Sequence, residues 1–311
     1  MGLKGLQESS LKLIMFGGKG GVGKTTCACA AALHLAQKFN TLIFSTDPAH
    51  SLSDSLGQKL GDEPKRIEGI KNLSALEVNA EKALFKFKTQ HEDKIRKIIE
   101  TGTNMDSEDI DSVFDLPFPG MDEVMGLKTI IDLIDEAKFD KYIVDTAPTG
   151  HALRLLASPK LLDSWIKVMA KMRWKYRYMI ERFSGKYKPD QGDDFLLSMK
   201  KTVKKIEDLL HDENRCEFIA VTIPEEMAVS ETARLIKNLS NSGIKVKQLV
   251  INNVVTPDGC EFCIQKRKGQ DSYINLIRKK YKELKTTIVP LSPREIRGLS
   301  ELGNFNTYLF N

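Results

Sequence analysis

A glycine-rich segment near the amino terminus has the residue types and spacing of a phosphate-binding loop. It follows the pattern G-x-x-x-x-G-K-[ST] with Gly18, Lys19, Gly20, Gly21, Val22, Gly23, Lys24, Thr25 and Thr26. Glycines let backbone N–H groups turn inward and approach an anion with no Cβ in the way. Lys24 would reach the β- and γ-phosphates, and the Thr25 hydroxyl would be a ligand of Mg²⁺. An ordinary glycine turn explains the full motif poorly, so the segment predicts a nucleotide site.

The loop must be positioned by a buried strand before it and a helix after it. Residues 13–16 form an apolar run, and a helix rich in alanine begins at about Gly23. The positive end of that helix would add to the attraction of phosphate. Further apolar runs predict strands at 42–46, 75–78, 142–145, 218–222, 248–252 and 287–289. Strands that alternate with helices predict an α/β fold, here a P-loop doubly wound, mainly parallel sheet.

Two acidic residues come at the ends of predicted strands. Asp145 ends an apolar strand, which is the Walker B pattern, whose carboxylate holds Mg²⁺ directly or through a water. Asp47 lies just beyond the second strand. Open α/β sheets bind ligands outside the carboxyl ends of their strands, so both carboxylates belong near the nucleotide. For Asp47 a turn cap is the alternative, because Asp-Pro favours turns.

Two long stretches, 80–135 and 159–215, have helical spacing and no strand pattern. They flank the strand that ends at Asp145. The simplest interpretation is one α-helical subdomain inserted twice into a P-loop nucleotide-binding domain made of 1–79, 136–158 and 216–311.

The second of these stretches carries an apolar stripe in which residues recur every three to four positions. Its members include Trp165, Ile166, Met169, Met172, Tyr176, Met179 and Phe183. Core packing is the usual reason for such a stripe. Methionine is also flexible and polarizable, which suits surfaces that accept many apolar sequences. The residues alone leave both interpretations open.

Composition narrows the class of protein. The chain of 311 residues is 41% hydrophobic and 29% charged, as expected of a soluble globular protein. The net charge of +5 is mild and does not indicate a nucleic-acid partner. The five cysteines are unevenly spaced and do not resemble a disulfide framework, which favours a cytoplasmic protein.

Cys260 and Cys263 form a C-x-x-C pair, although this spacing alone is weak evidence of a metal site. A structural zinc site takes four ligands, and the pair offers half of them. A dimer would supply the other half, so that one Zn²⁺ is shared by two chains. Two unpaired thiols and a redox pair remain alternatives.

Several segments together make the chain resemble the arsenite-pump ATPase family. The resemblance covers nearly the whole chain and rests on the loop, on 47–51 (DPAHS), 119–123 (PGMDE), 145–151 (DTAPTGH), 231–235 (ETARL) and 295–299 (EIRGL), and on the C-x-x-C pair. Within the family it is closest to the archaeal and eukaryotic branch that targets tail-anchored membrane proteins. Lys19 gives the loop the deviant form found in P-loop ATPases that act as nucleotide-sandwich homodimers.

The resemblance assigns roles to individual residues. It implies that Asp47 positions the attacking water, that Lys19 reaches the partner's ATP, and that Glu225 matches a glutamate contacting the nucleotide of the partner chain. The implied switch residues are Asp47, Pro48, His50, Asp145, Pro148, Gly150 and His151. The implied adenine pocket consists of Asn252 and the segment Pro290, Leu291, Ser292, Pro293, Arg294, Glu295, Ile296 and Arg297.

The function implied by this resemblance is that of an ATP-hydrolysing homodimer with Mg²⁺ and a shared Zn²⁺. It would bind the transmembrane segment of tail-anchored clients in a groove lined by the apolar stripe and deliver them to a membrane receptor, with a tetramer as a further form that could enclose a client. One alternative is the ATPase of an arsenite efflux pump, although the two helical stretches lack the cysteines that would bind the metalloid. An iron–sulfur carrier ATPase and a holdase active when its cysteines are oxidised are further alternatives.

Overall fold

The structure is a computed structural model of the chain, and it describes residues 2–47, 51–103, 108–110, 121–146, 149–184, 186–257 and 260–310. Eight strands form one sheet in the order β3-β4-β2-β5-β1-β6-β7-β8. They are β1 (Leu13–Gly17), β2 (Thr41–Ser45), β3 (Lys65–Arg66), β4 (Leu73–Glu77), β5 (Lys141–Asp145), β6 (Cys216–Thr222), β7 (Val246–Val254) and β8 (Lys285–Pro290). All neighbours pair in parallel except β3 and β4, which are antiparallel.

The central strands are buried along their whole length. β1 lies between β5 and β6, and each of its five residues is buried. A parallel sheet covered by helices on both faces favours such continuous apolar runs over alternating ones. In register, Asp145 pairs with Phe16 on β1 and with Ser45 on β2. The carboxyl ends of β1, β2 and β5 therefore meet at one edge.

Nine described helices are long enough to name. They are α1 (Lys24–Leu35), α2 (Ser51–Leu56), α3 (Ala80–Gly102), α4 (Met121–Asp135), α5 (Thr149–Ser184), α6 (Gln191–His211), α7 (Glu226–Asn241), α8 (Glu261–Lys280) and α9 (Gly298–Phe310). The small side chains of α1 let it pack tightly into the core, and the His34 ring stacks on Phe310 of α9 with ring centroids 3.8 Å apart. No helix in the described ranges is both long enough and apolar enough to cross a membrane.

The chain divides into two compact units. The first comprises Met1–Asn79, Asp132–Leu156 and Leu209–Asn311 and contains the sheet. The second comprises Ala80–Ile131 and Ala157–Asp208 and is helical. The helical insert predicted at 80–135 and 159–215 includes residues 132–135 and 209–215, which are not part of the second unit. These residues belong to the first unit, where the Tyr142 hydroxyl donates to the Leu133 carbonyl at 2.8 Å and the His211 ring bonds the Ser242 carbonyl at 2.8 Å.

The helical unit has its own hydrophobic core. Its buried members include Phe87, Ile98, Leu162, Ile166, Met169, Phe195, Met199 and Val203. The buried Arg173 guanidinium ties α5 to the start of α6 through ion pairs with Asp190 and Asp193. Burial of these partly exposed carboxylates acts to raise their pKa, but hydrogen bonds lower it overall, chiefly from Arg173 to Asp190 and from Tyr187 to Asp193. The ion pairs therefore fix how α5 and α6 pack.

The predicted α/β class with a mainly parallel sheet is confirmed. The predicted strand positions are correct, but most strands begin one or two residues earlier than their apolar runs because polar residues such as Thr41 and Lys141 are also buried at their ends. β3 was not predicted, since its two residues are charged and exposed.

Candidate functional site

The glycine-rich loop lies between β1 and α1, and its glycines are required by close packing. A Cβ on Gly18 would lie 2.1 Å from the Val221 carbonyl oxygen, and one on Gly17 would lie 2.2 Å from the Phe218 ring. Gly21 and Gly23 have φ values of +78° and +91°, a region that side chains disfavour. The loop backbone therefore takes a path that other residues could not follow.

The amino terminus of α1 opens directly onto this loop. Gly23 is its N-cap, so no capping side chain competes for the first N–H groups of the helix. These groups and the helix dipole form an anion-binding cradle. Gly18, Gly20, Gly21, Val22, Gly23, Lys24, Thr25 and Thr26 all fall on this loop or the first turn of α1.

Lys24 is buried, and its Nζ donates to the Lys19 carbonyl at 3.3 Å, so its side chain curls back over the loop. Burial lowers the pKa of Lys24, while the charges of Asp145 and Asp47 act in the opposite direction. The Lys19 side chain is half-buried. The arrangement concentrates positive charge where the phosphates of a nucleotide would lie.

Asp145 connects the loop to the ends of two strands. Its Oδ2 accepts hydrogen bonds from the Thr25 hydroxyl at 2.8 Å and the Ser45 hydroxyl at 3.3 Å. The Ser45 hydroxyl in turn accepts from the Asp47 backbone N–H at 3.1 Å. The residues predicted as Mg²⁺ ligand, Walker B carboxylate and water-positioning carboxylate thus belong to one cluster.

The second oxygen of this carboxylate suits a cation. Asp145 is fully buried, and its Oδ1 has no hydrogen-bond partner among the described residues. Burial raises the pKa of Asp145 to about 6, against the lowering effects of the Thr25 hydrogen bond and the Lys24 charge. A buried carboxylate oxygen without a donor, close to a threonine hydroxyl, matches the oxygen ligands that Mg²⁺ prefers.

Asn252 contacts the loop from β7. Its Nδ2 donates to the Val22 carbonyl at 3.0 Å, while its buried Oδ1 has no partner in the described part of the chain. A cavity of about 440 Å³ lies between the segment after β8 and α9. It is lined by Thr256, Pro290, Leu291, Ser292, Pro293, Ile296, Glu301, Asn304, Phe305 and Tyr308.

Three residues predicted for the adenine pocket do not line this cavity. Arg294, Glu295 and Arg297 are exposed, and the Arg297 guanidinium instead donates to the Asp54 carbonyl at 3.1 Å. Their charged side chains lie in solvent or against α2, whereas the apolar Pro290, Leu291 and Ile296 line the cavity. Their predicted role at the adenine remains a prediction.

Glu225 is the N-cap residue of α7, and its carboxylate pairs with Lys266 of α8 at 3.6 Å. The switch residues are described only in part. Pro48, His50 and Pro148 lie outside the described residues, and Gly150 and His151 belong to the first turn of α5. Among the predicted switch residues, Asp47 and Asp145 belong to the hydrogen-bonded cluster at Thr25 and Ser45.

Cys260 and Cys263 lie together at the start of α8. Cys260 is the N-cap residue, and its Sγ accepts a hydrogen bond from the Cys263 N–H at 3.2 Å. Hydrogen bonds from Cys263 lower the pKa of the exposed Cys260 thiol. No group of three metal-ligating side chains occurs in the described residues, so one chain offers two thiols of a tetrahedral site.

The apolar stripe on α5 divides into two parts. Ile166 and Met169 are buried in the core of the helical unit, and Trp165 and Met172 pack partly against it. Tyr176 is half-buried, whereas Met179 is 52% and Phe183 is 84% exposed. Core packing, the usual explanation of such a stripe, therefore accounts for its first part, and only its carboxyl-terminal part presents apolar surface.

The structure adds site residues that the sequence analysis missed. The Ser45 hydroxyl donates to Asp145, and the Ser51 and Thr25 hydroxyl oxygens lie 3.4 Å apart. Ser45 ends a strand that neighbours β5, and the carboxyl ends of parallel strands meet at one edge of the sheet. This position could have predicted a contact between Ser45 and Asp145. Phe305 and Tyr308 line the cavity from the far end of the chain, and no local pattern indicated this.

A phosphate-binding loop at the end of the central strand of a parallel sheet, with Thr25 and Asp145 together behind it, defines a P-loop nucleoside triphosphatase. A family profile described as "Anion-transporting ATPase" matches residues 11–311. The chain is 36% identical to "ATPase ASNA1 homolog 1" of Paramecium tetraurelia, over 96% of this chain and 92% of that protein.

Two further relatives agree. The chain is 34% identical to "ATPase ASNA1 homolog" of Dictyostelium discoideum over 98% of this chain and 91% of that protein. It is 32% identical to "ATPase get3" of Neurospora crassa over 98% of this chain and 92% of that protein. The protein belongs to the anion-transporting ATPase family and is an ATPase, which confirms the family resemblance.

Proposed function

We propose that this ATPase is a cytoplasmic targeting factor that binds the transmembrane segment of tail-anchored membrane proteins and delivers them to a receptor on a membrane. The observation that carries the proposal is the apolar end of α5, where Met179 and Phe183 are exposed in an ATPase with relatives named ATPase get3. The two side chains are four residues apart and are therefore neighbours on the helix surface, and contiguous exposed apolar surface of this kind marks interaction sites.

Hydrolysis would be carried out by the cluster around Asp145. Thr25 and Asp145 would hold Mg²⁺, directly or through a water, and the ion would supply charge stabilisation for phosphoryl transfer. Lys24 would bind the β- and γ-phosphates. Asp47, whose backbone is anchored on Ser45, would accept a hydrogen bond from the attacking water and orient it.

The base would bind beside the loop. We assign it to the cavity lined by Pro290, Leu291 and Ile296 and to Asn252, which contacts the phosphate loop at Val22. The unpartnered Oδ1 of Asn252 is an acceptor of the kind that an adenine amino group needs.

The active form would be a homodimer, and a tetramer could enclose a client. Lys19 and Glu225 would then act on the nucleotide of the partner chain. Within one chain Glu225 pairs with Lys266, an exposed pair of small energetic value that a partner could displace. Cys260 and Cys263 would hold half of a Zn²⁺ site shared by the two chains.

An arsenite efflux pump ATPase is the second candidate. The five cysteines are Cys27, Cys29, Cys216, Cys260 and Cys263, and none lies in 80–135 or 159–215. Cys27, Cys29 and Cys216 are buried, so they are poor ligands for a metalloid from solution. An iron–sulfur carrier ATPase is a weaker candidate. A brown colour and a visible absorption band of the purified protein would support it.

The test is capture of a client during synthesis. A tail-anchored protein is translated without membranes in the presence of the purified ATPase and ATP, and the two are then co-purified. The control client carries two aspartates in its transmembrane segment. Capture of the native client alone supports targeting. Equal recovery of both clients, or ATP hydrolysis accelerated by arsenite without any capture, contradicts it.

A further inference from the structure

The outward face of α5 carries a second stripe, distinct from the apolar one. It is formed by Lys160, Ser164, Lys167, Lys171, Trp174, Lys175, Tyr178 and Arg182, and every member is exposed. We name this set the basic stripe. Its spacing of three and four residues keeps its members on one side of a helix.

This face is opposite to the one that packs in the core. Trp174 and Tyr178 follow the buried Met169 by five and nine residues, which places them about 140° and 180° away from it around the helix. The basic stripe therefore does not contribute to the core of the helical unit.

The basic stripe contains five cations and no acidic residue. The nearby acids lie at its edge, where Asp163 pairs with Lys167 at 2.6 Å and Glu181 pairs with Arg177 at 2.8 Å. Lys171 and Lys175 form no ion pair within the described residues. The centre of the stripe therefore retains its positive charge.

Two aromatic side chains stand among these cations. Trp174 is 66% and Tyr178 is 52% exposed, and their rings stack with centroids 5.9 Å apart. The Arg182 guanidinium donates to the Tyr178 hydroxyl at 3.4 Å. Even with this stack, Trp174 leaves a large apolar area exposed to water.

We propose that the basic stripe binds the surface of an anionic lipid bilayer. Lysine and arginine attract acidic headgroups, while tryptophan and tyrosine insert their amphipathic rings at the level of those headgroups. The helix then lies along the surface without crossing it. This contact goes beyond the proposed targeting function, since it needs neither a client nor ATP.

The two tryptophans of the chain allow a site-specific measurement. In a Trp165→Phe protein the fluorescence reports on Trp174 alone. Titration with vesicles of 70% phosphatidylcholine and 30% phosphatidylserine should shift its emission to the blue, and bromine-labelled lipids should quench it. Vesicles of pure phosphatidylcholine should give little response, and 0.5 M salt should weaken binding because it screens surface charge.

Matched charge reversals identify the surface. Lys171→Glu with Lys175→Glu should weaken co-sedimentation with the anionic vesicles by about fivefold per residue or more. Trp174→Ala with Tyr178→Ala should abolish stable binding while leaving the charge unchanged. The control is Lys200→Glu with Lys201→Glu, which reverses two exposed lysines on α6 of the same unit. Circular dichroism melting verifies that each variant is folded.

Vesicle binding that depends on the basic stripe and not on the α6 lysines supports the proposal. Equal binding to neutral vesicles, equal loss in the α6 control, or no binding by the folded protein overturns it. In the last case an acidic protein surface would be the better partner for the stripe. Client capture is measured separately on the same variants, so a failure of the lipid proposal does not affect the test of targeting.

Discussion

The Thr25 hydroxyl donates a 2.8 Å hydrogen bond to Asp145 Oδ2 across 120 residues of sequence. The bond joins the first turn of α1 to the end of β5 and leaves Asp145 Oδ1 without a partner among the described residues. One oxygen of this carboxylate is fixed by a hydrogen bond, and the other is buried without a donor. Such a carboxylate suits a cation, because Mg²⁺ would compensate the cost of burying the negative charge.

The first prediction tests this cluster. Thr25→Val keeps the shape of the side chain and removes the hydroxyl, so the Mg²⁺ concentration for half-maximal hydrolysis should rise at least about tenfold. Thr25→Ser is the matched control and should remain close to the original protein. Hydrolysis is followed during Mg²⁺ titration, and nucleotide binding is measured in chelator. An unchanged Mg²⁺ dependence in Thr25→Val would contradict the assignment.

The second prediction concerns Asp47. Asp47→Asn should slow hydrolysis by about two orders of magnitude or more, the usual effect of losing a general base, while ATP binding persists. Phosphate release and nucleotide affinity are measured on the same preparation. Asp62→Asn changes an exposed acid of the same unit and should have no effect on turnover. Near-normal turnover in Asp47→Asn would remove this residue from the mechanism.

The sequence predicted the parts of the site that depend on local patterns. The loop, Thr25 and Asp145 follow from a motif and a strand end, and parallel pairing then brings them together. The cavity that follows β8 could not be predicted in full, because Phe305 and Tyr308 reach it through the packing of α9. The surroundings of Arg297 could not be predicted for a related reason. Its contact with Asp54 depends on where α2 lies, which no local pattern determines.

The apolar stripe of α5 shows the same limit. Spacing placed Met169 and Met179 in one stripe, but Met169 is buried in the core of the helical unit and Met179 is exposed. The spacing of residues on α5 does not show how far the neighbouring helices extend along it, and this determines which members of the stripe are buried. Phe195 and Met199 of α6 cover the stripe around Met169, while Met179 and Phe183 extend beyond that core.

The third prediction concerns zinc. If Cys260 and Cys263 each give one thiolate to a site shared by two chains, elemental analysis should find about one zinc per two chains. Cys263→Ser should lose the metal and weaken dimerisation, whereas Cys216→Ser, at a buried position, should retain it. One zinc per chain, or an iron–sulfur absorption band, would show that the pair has another role.

The fourth prediction is a pH dependence of stability. Lys141 is fully buried, with its Nζ donating to the Leu11 carbonyl at 2.6 Å and to the Glu8 carbonyl. Burial lowers the pKa of Lys141 from 10.5 to about 8. Between these values the unfolded chain binds more protons than the folded one, so this group makes the free energy of unfolding rise as the pH rises.

The comparison with Lys141→Met isolates this group from others that titrate in the same range. The free energy of unfolding of the original protein, minus that of Lys141→Met, should increase between pH 8 and pH 10 by up to about 1.4 kcal/mol per pH unit. Urea unfolding at several pH values measures it. A difference that stays constant or falls with pH would show that Lys141 does not have a lowered pKa.

The last prediction separates the two parts of the apolar stripe. Met169→Asp puts a charge into the core of the helical unit, and it should lower the free energy of unfolding by about 4 kcal/mol or more. Met179→Asp with Phe183→Asp changes exposed positions, so the melting temperature should change little.

If these side chains hold a transmembrane segment, the double variant should still hydrolyse ATP and fail to capture a client, because the new charges would be desolvated against an apolar helix. Lys200→Asp, an exposed change on α6, serves as the control for added negative charge. Capture and thermal melting are measured on each variant. Full capture by the folded double variant would show that the exposed end of α5 is not the client site, whatever Met169→Asp does to stability.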